Sequence, residues 1–163
     1  MVVCPGCKVE LPDHQNDPPD RFNASGACWQ AFSDLESYTV SLRDPEFIHQ
    51  HVVDTYAAQH AGGKTRNITV IFGLIGLYLT MEKEYTGKEV QRAHMLIAKK
   101  RKTWPPLDPP EKTFHVTVAD VLRANTDSEK KAAIHRWMTE VWEGWADRHE
   151  WIRETTETLL FTS

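Results

Sequence analysis

Asn67-Ile-Thr-Val-Ile-Phe-Gly-Leu-Ile-Gly-Leu-Tyr-Leu-Thr-Met-Glu-Lys-Glu84 contains the longest apolar run of the chain, Ile68 to Met81. Its β-branched start, Ile68-Thr-Val-Ile71, is compatible with a strand, but the length of the run favours a helix apolar almost all round. Such a helix has to be buried on every side, which makes it the centre of an all-α bundle. Thr69, Gly73, Gly76 and Thr80 interrupt the run, and it falls short of the roughly 20 residues that span a bilayer. No membrane span is expected.

The flanks supply the helices that would cover it. Upstream, Ser25 is a helix N-cap, with Trp29, Phe32, Leu35 and Val40 following at helical spacing and a break at Leu42-Arg43. Asp44-Pro-Glu46 reads as a new start, with proline at the first helical position. A second helix then runs from Pro45 to about Ala61, with Phe47, Val52, Val53, Tyr56 and Ala57 on its apolar face, and ends at Gly62-Gly63.

Downstream, a fourth helix covers about Lys88 to Lys102. Its terminal Lys99-Lys-Arg-Lys102 suits the negative end of a helix dipole better than nucleic acid. Trp104-Pro-Pro-Leu-Asp-Pro-Pro110 is a stiff surface crossover. Thr117-Val-Ala-Asp120 and Thr126-Asp-Ser-Glu129 have capping-box spacing. The second opens the last and longest helix, to about Leu159, striped by Ile134, Trp137, Met138, Val141, Trp145, His149 and Ile152. That stripe predicts a core-facing side; a ligand wall or a homodimer seam is the sharper alternative. The expected fold is therefore a bundle of about five to six helices.

Residues 1 to about 24 differ from all of this. They lack helical periodicity and carry Pro5, Gly6, Pro12, Pro18 and Pro19. A loop of this length needs an anchor, and Cys4-Pro-Gly-Cys7 with Cys28 offers one. The expected organisation is a single domain over 1–163, with a knuckle and loop at 1–24 packed on the first two helices of a bundle at 25–163.

The chain has 163 residues, three cysteines and a net charge of −4. The charge argues against a general nucleic-acid binder, and an unpaired set of cysteines favours metal chemistry in a reducing compartment over a disulfide framework. No basic segment followed by an apolar one opens the sequence, so a cytoplasmic location is expected.

Zinc with three thiolates needs one more ligand for a tetrahedron. The first two helices, joined by a short break, should run antiparallel, which brings Cys28 level with Tyr56 and His60. His49 and His51 fall level with residues 34–36, about two turns away at ~1.5 Å per residue. The predicted shell is Cys4, Cys7, Cys28 and His60, with His14 in the loop, or His49, as alternatives for the fourth place. A redox dithiol is disfavoured because such motifs follow a strand and open a helix. Asp54 reads as a surface group near Lys64 or Arg66, and His149 as a satisfied core histidine beside Trp145.

Several of these residues together carry a resemblance. Cys4-Pro-Gly-Cys7, Ala27-Cys28-Trp29, His49 with Val53-Asp54-x-Tyr56-Ala57-x-Gln59-His60, Val116-Thr-Val-Ala-Asp120-Val and Trp137 with Val141-Trp142 resemble an uncharacterised family of small bacterial proteins, the domain of unknown function 5946. The likeness covers nearly the whole chain and implies one complete domain. Lys8 stands where the pattern leads one to expect glycine, and Ala61 where it leads one to expect proline. The family brings no activity with it.

Two function classes follow. In the first, a structural zinc stabilises a helical domain that binds a protein or small-molecule partner through its tryptophan-rich side. In the second, zinc keeps an open position in a metal-dependent enzyme, a hydrolase for example, with His49, Asp54 and Tyr56 as acid–base groups. No nucleophile elbow, phosphate loop or His-Glu-x-x-His motif supports the second.

Overall fold

The apolar run at Ile68–Met81 forms a helix, and the other helices are arranged around it. The computed structural model describes residues 1–13, 17, 20–111 and 113–161. Along the chain come a two-residue strand β1 (Val2–Val3), its antiparallel partner β2 (Glu10–Leu11), then α1 (Gly26–Ser41), α2 (Ile48–Gln59) and α3 (Asn67–Lys83). They are followed by α4 (Gly87–Lys100), α5 (Val118–Arg123), α6 (Asp127–Gly144) and α7 (His149–Phe161). The fold is all-α apart from that small hairpin. No helix among the described residues is long and apolar enough to cross a membrane.

α2 and α3 form the most intimate pair. Gly73 and Gly76 let their axes approach closely: a Cβ on Gly73 would stand 2.7 Å from the Asp54 carbonyl oxygen. From Ile71 to Leu79, α3 is buried all round save for Phe72. α1 packs on α2 antiparallel, since Cys28 meets Tyr56 and His60 while Thr39 meets His49.

Local chemistry explains most boundaries. Ser25 caps α1, its Oγ accepting from the Cys28 amide at 3.1 Å. Thr86 with Glu89, and Thr117 with Asp120, form complete capping boxes at α4 and α5; Thr126 caps α6 through the Glu129 amide. The basic end of α4 is spent on carbonyls and an aromatic face: Lys100 reaches the Leu159 carbonyl, Lys102 that of Ala98, and Arg101 lies over Trp104.

Three expectations need correction. α2 starts at Ile48, not Pro45, because Phe47 adopts a left-handed φ of 61°. Asp44 nonetheless starts the helix, its two carboxylate oxygens accepting from the Glu46 and Ile48 amides at 3.0 Å each. Val40 is exposed, and Thr39 takes the buried place beside it.

The third concerns the last helix, which breaks in two. In a continuous helix the Trp142 carbonyl would receive the amide four residues on. Instead it accepts from the Trp145 amide at 3.1 Å and from His149 Nε2 at 2.6 Å, and His149 stacks on the Trp142 ring at 3.7 Å. His149 is thus satisfied, as expected, but half-buried and against Trp142 rather than Trp145.

The tryptophan stripe faces inward. Trp137, Trp142 and Trp145 are buried. Trp137 Nε1 donates to Gln59 Oε1 at 2.9 Å, and Trp145 Nε1 to the Ala58 carbonyl at 3.0 Å. These rings hold α6 against the end of α2, next to His60.

Candidate metal centre

β1 and β2 carry the knuckle. Cys4 closes it, donating its amide to the Val9 carbonyl and accepting the Lys8 amide on its own carbonyl, both at 2.9 Å. Closing so tight a turn puts Lys8 in the left-handed region, φ 67°, where glycine is the easy occupant. A strand does precede this C-x-x-C, contrary to expectation. Cys7, however, leads into the return strand of a hairpin, not into the helix that a redox motif opens.

Gly6 has to be glycine. A Cβ there would lie 2.2 Å from the Asn23 carbonyl oxygen and 2.6 Å from His60 Cδ2. The knuckle therefore rests directly on the histidine ring and on the loop entering α1. Asn23 fastens that loop, its amide donating to the His60 carbonyl at 3.2 Å and its side chain to the Ala61 carbonyl at 3.2 Å.

Cys28 sits in the first turn of α1 and His60 caps the C-terminal end of α2. Cys4, Cys7, Cys28 and His60 converge, with one ligand atom from each lying within 4.8 Å of every other. All four are buried, none more than 1% exposed. Tetrahedral zinc with sulfur at about 2.3 Å and nitrogen at about 2.0 Å sets S···S near ~3.8 Å and S···N near ~3.5 Å. Cys7 Sγ to Cys28 Sγ is 3.8 Å, and Cys28 Sγ to His60 Nε2 is 3.4 Å. All three cysteines are free, and 3.8 Å is far beyond a disulfide bond.

Hydrogen bonds around the cluster suit it to a cation. The Tyr56 carbonyl, 2.8 Å from His60 Nδ1, can only accept. The proton therefore sits on Nδ1, and the Nε2 lone pair faces the sulfurs. The Tyr56 hydroxyl donates to Cys28 Sγ at 3.4 Å, and burial pushes its own pKa up, so it stays a donor.

The thiols do not share charge evenly. Hydrogen bonds from Cys28 and then Cys7 hold Cys4 far below the usual thiol range. Cys28 is pushed far up by Cys4, Cys7 and burial. The Cys28 hydrogen bond pulls Cys7 down, but Cys4 and burial outweigh it and raise Cys7 to about 12. Without a cation among them, one thiolate suppresses the other two; a divalent ion removes that conflict.

The remaining predicted groups lie elsewhere. His14 falls outside the described residues. His49 bonds Thr39 Oγ1 at 2.9 Å and has Glu36 at 3.9 Å, away from the cluster. Asp54 is not a surface group: it is 3% exposed, and Gln50 Nε2 donates to its Oδ1 at 2.9 Å. His49, Asp54 and Tyr56 do not converge on one reacting point. The sequence marked Pro5-Gly6 as the turn that supports the knuckle, though not the packing of Gly6 on the His60 ring, and it gave no sign of Asn23 as a support of the cluster.

A family model described as a family of unknown function (DUF5946) matches residues 2–146. The chain belongs to this family. The match takes in the knuckle, Cys28 and His60, and stops at the turn between α6 and α7. No curated protein and no solved structure matches the chain.

Proposed function

We propose that Cys4, Cys7, Cys28 and His60 hold one zinc ion in a closed, structural site, and that this member of the family is a binding domain whose N-terminal knuckle and first two helices the ion fastens together. The observation that carries the reading is the set of four buried donors, all within 4.8 Å of one another, with Cys28 at tetrahedral spacing from Cys7 and His60. Thiolate and imidazole donors favour zinc among common divalent ions. A catalytic zinc needs a free position for water. Here that would require His60 to turn away, while its ring is held by the Tyr56 carbonyl, stacked on Tyr56 at 3.8 Å and covered by Gly6.

Cobalt substitution tests closure. Co²⁺ in the wild-type protein should show thiolate charge-transfer and tetrahedral d–d bands that added azide leaves unchanged. His60→Ala should make those bands azide-sensitive or abolish binding. Azide-sensitive bands in the wild type would revive the open-site enzyme.

A further inference from the structure

Among the described residues, three exposed large apolar side chains share one face: Met95 and Leu96 on α4, and Phe161 at the end of α7, each more than half exposed. The others lie elsewhere, Met1 and Val3 at the N-terminus and Val40 and Leu42 at the end of α1. Apolar residues exposed singly need no explanation, whereas a group of them marks a contact surface. Tyr85, Arg92, Leu96, Leu160 and Phe161 line a groove of about 270 Å³ between the two helices.

The same face is basic. Arg92, Met95, Leu96 and Lys99 follow one another at three- and four-residue spacing, so the two cations flank the two apolar side chains on one side of α4. Both cations are exposed, and neither enters an ion pair among the described residues. Lys88, Lys100 and Lys102 extend the row and are exposed as well. Their contacts, with the Phe47 ring and the Leu159 and Ala98 carbonyls, leave their charge intact. The one acid of α4, Glu89, is turned back to the helix start, its Oε1 accepting from the Thr86 amide at 3.0 Å. Glu157 on α7 is tied to Tyr78 and Lys83. Residues 88–102 thus carry six cations and one acid in a chain of net charge −4, so everything outside this segment is strongly acidic.

Exposed cations around exposed apolar side chains, set against an acidic remainder, match an anionic lipid surface. Negative headgroups attract the cations, the apolar side chains enter between them, and repulsion of the acidic remainder turns this face toward the bilayer. A nucleic acid would reward the cations but gain nothing from Met95 and Leu96. A second copy meeting the same face would set like charge against like.

We propose that the face formed by α4 and the end of α7 docks on the surface of an anionic phospholipid bilayer, with Arg92, Lys99, Lys100 and Lys102 at the headgroups and Met95, Leu96 and Phe161 entering the layer beneath them. The chain lies on the membrane and does not span it. The proposal rests on the binding-domain reading and gives it a partner.

The test is co-sedimentation of the full chain with vesicles of phosphatidylcholine containing one third phosphatidylserine, beside vesicles of phosphatidylcholine alone. Binding to the anionic vesicles is expected, about tenfold or more above the uncharged ones, and falling steeply with added salt. Arg92→Gln with Lys99→Gln should weaken it by about tenfold or more. Leu96→Gln with Phe161→Gln should weaken it several-fold. Lys131→Gln with Arg136→Gln, two cations on α6, changes the net charge equally and should leave binding within about twofold. All six positions are exposed, so the substitutions leave the core untouched. No binding to either vesicle, equal binding to both, or equal losses from the two cation pairs would overturn the proposal. So would dimerisation of the lipid-free chain that Leu96→Gln with Phe161→Gln abolishes, which would assign the face to a second copy. Zinc content measured on the same samples keeps the two ideas apart: a zinc-loaded protein that ignores the vesicles loses the membrane proposal and keeps the metal site.

Discussion

Gly6 is a tight point of the candidate metal centre, wedged between the Asn23 carbonyl and the His60 ring. Gly6→Ala should therefore cost about 1–3 kcal/mol by overpacking and weaken zinc binding, measured by urea denaturation and chelator competition. Lys8 is the opposite case. It adopts φ 67° with an exposed side chain whose Nζ reaches the Pro5 carbonyl at 2.8 Å. Lys8→Gly should raise stability by about 0.5–1 kcal/mol through relief of the left-handed conformation, read from the same urea curves; a clear loss would show that the lysine bond matters more than the backbone. Asp54 has a pH signature. Its folded pKa lies above the ordinary 3.8, so its stabilising contribution is full below that value and lost as pH rises toward the folded pKa. Relative to wild type, Asp54→Asn should thus gain stability between pH 4.5 and pH 8. Every other titratable group is common to both proteins and drops out of that difference. A flat difference would mean that Asp54 is ionised in the folded chain.

At the scale of elements, the helices were legible wherever a capping side chain coincided with a change of apolar pattern. Ser25, Thr117 and Thr126 marked their starts correctly. The start of α2 was misplaced because Asp44 caps across a turn that includes Pro45 and the left-handed Phe47. Asp44→Ala should still cost about 1 kcal/mol, as a lost helix cap does, read as a lowered urea midpoint with helix content retained. The break after Gly144 could not be read from periodicity, since the apolar stripe runs straight through it. It depends on one tertiary choice, the His149 ring taking the Trp142 carbonyl. His60 was legible for the reverse reason: antiparallel pairing of two consecutive helices is a local constraint, and it fixes which residues stand level. Asp54 was misread because Lys64 and Arg66, further along the sequence, were taken as its partners, whereas its neighbours in space are Gln50 and the α3 glycines.

Across the whole molecule, the cluster joins a hairpin, a loop and the ends of two helices that otherwise meet through few backbone hydrogen bonds. Tyr56 links it to the aromatic residues of α1, stacking on His60 on one side and on Phe32 on the other. Removal of the metal should then loosen the N-terminal hairpin and the Cys28 end of α1 first, seen as lost amide-exchange protection there while α3 stays protected. The most direct measurement of the central claim is metal content by elemental analysis on protein purified without added metal, for wild type and for Cys28→Ser. The account predicts one zinc per chain in the wild type and a large loss of both zinc and folding stability in the variant. A wild-type chain that is folded, reduced and free of zinc would contradict it.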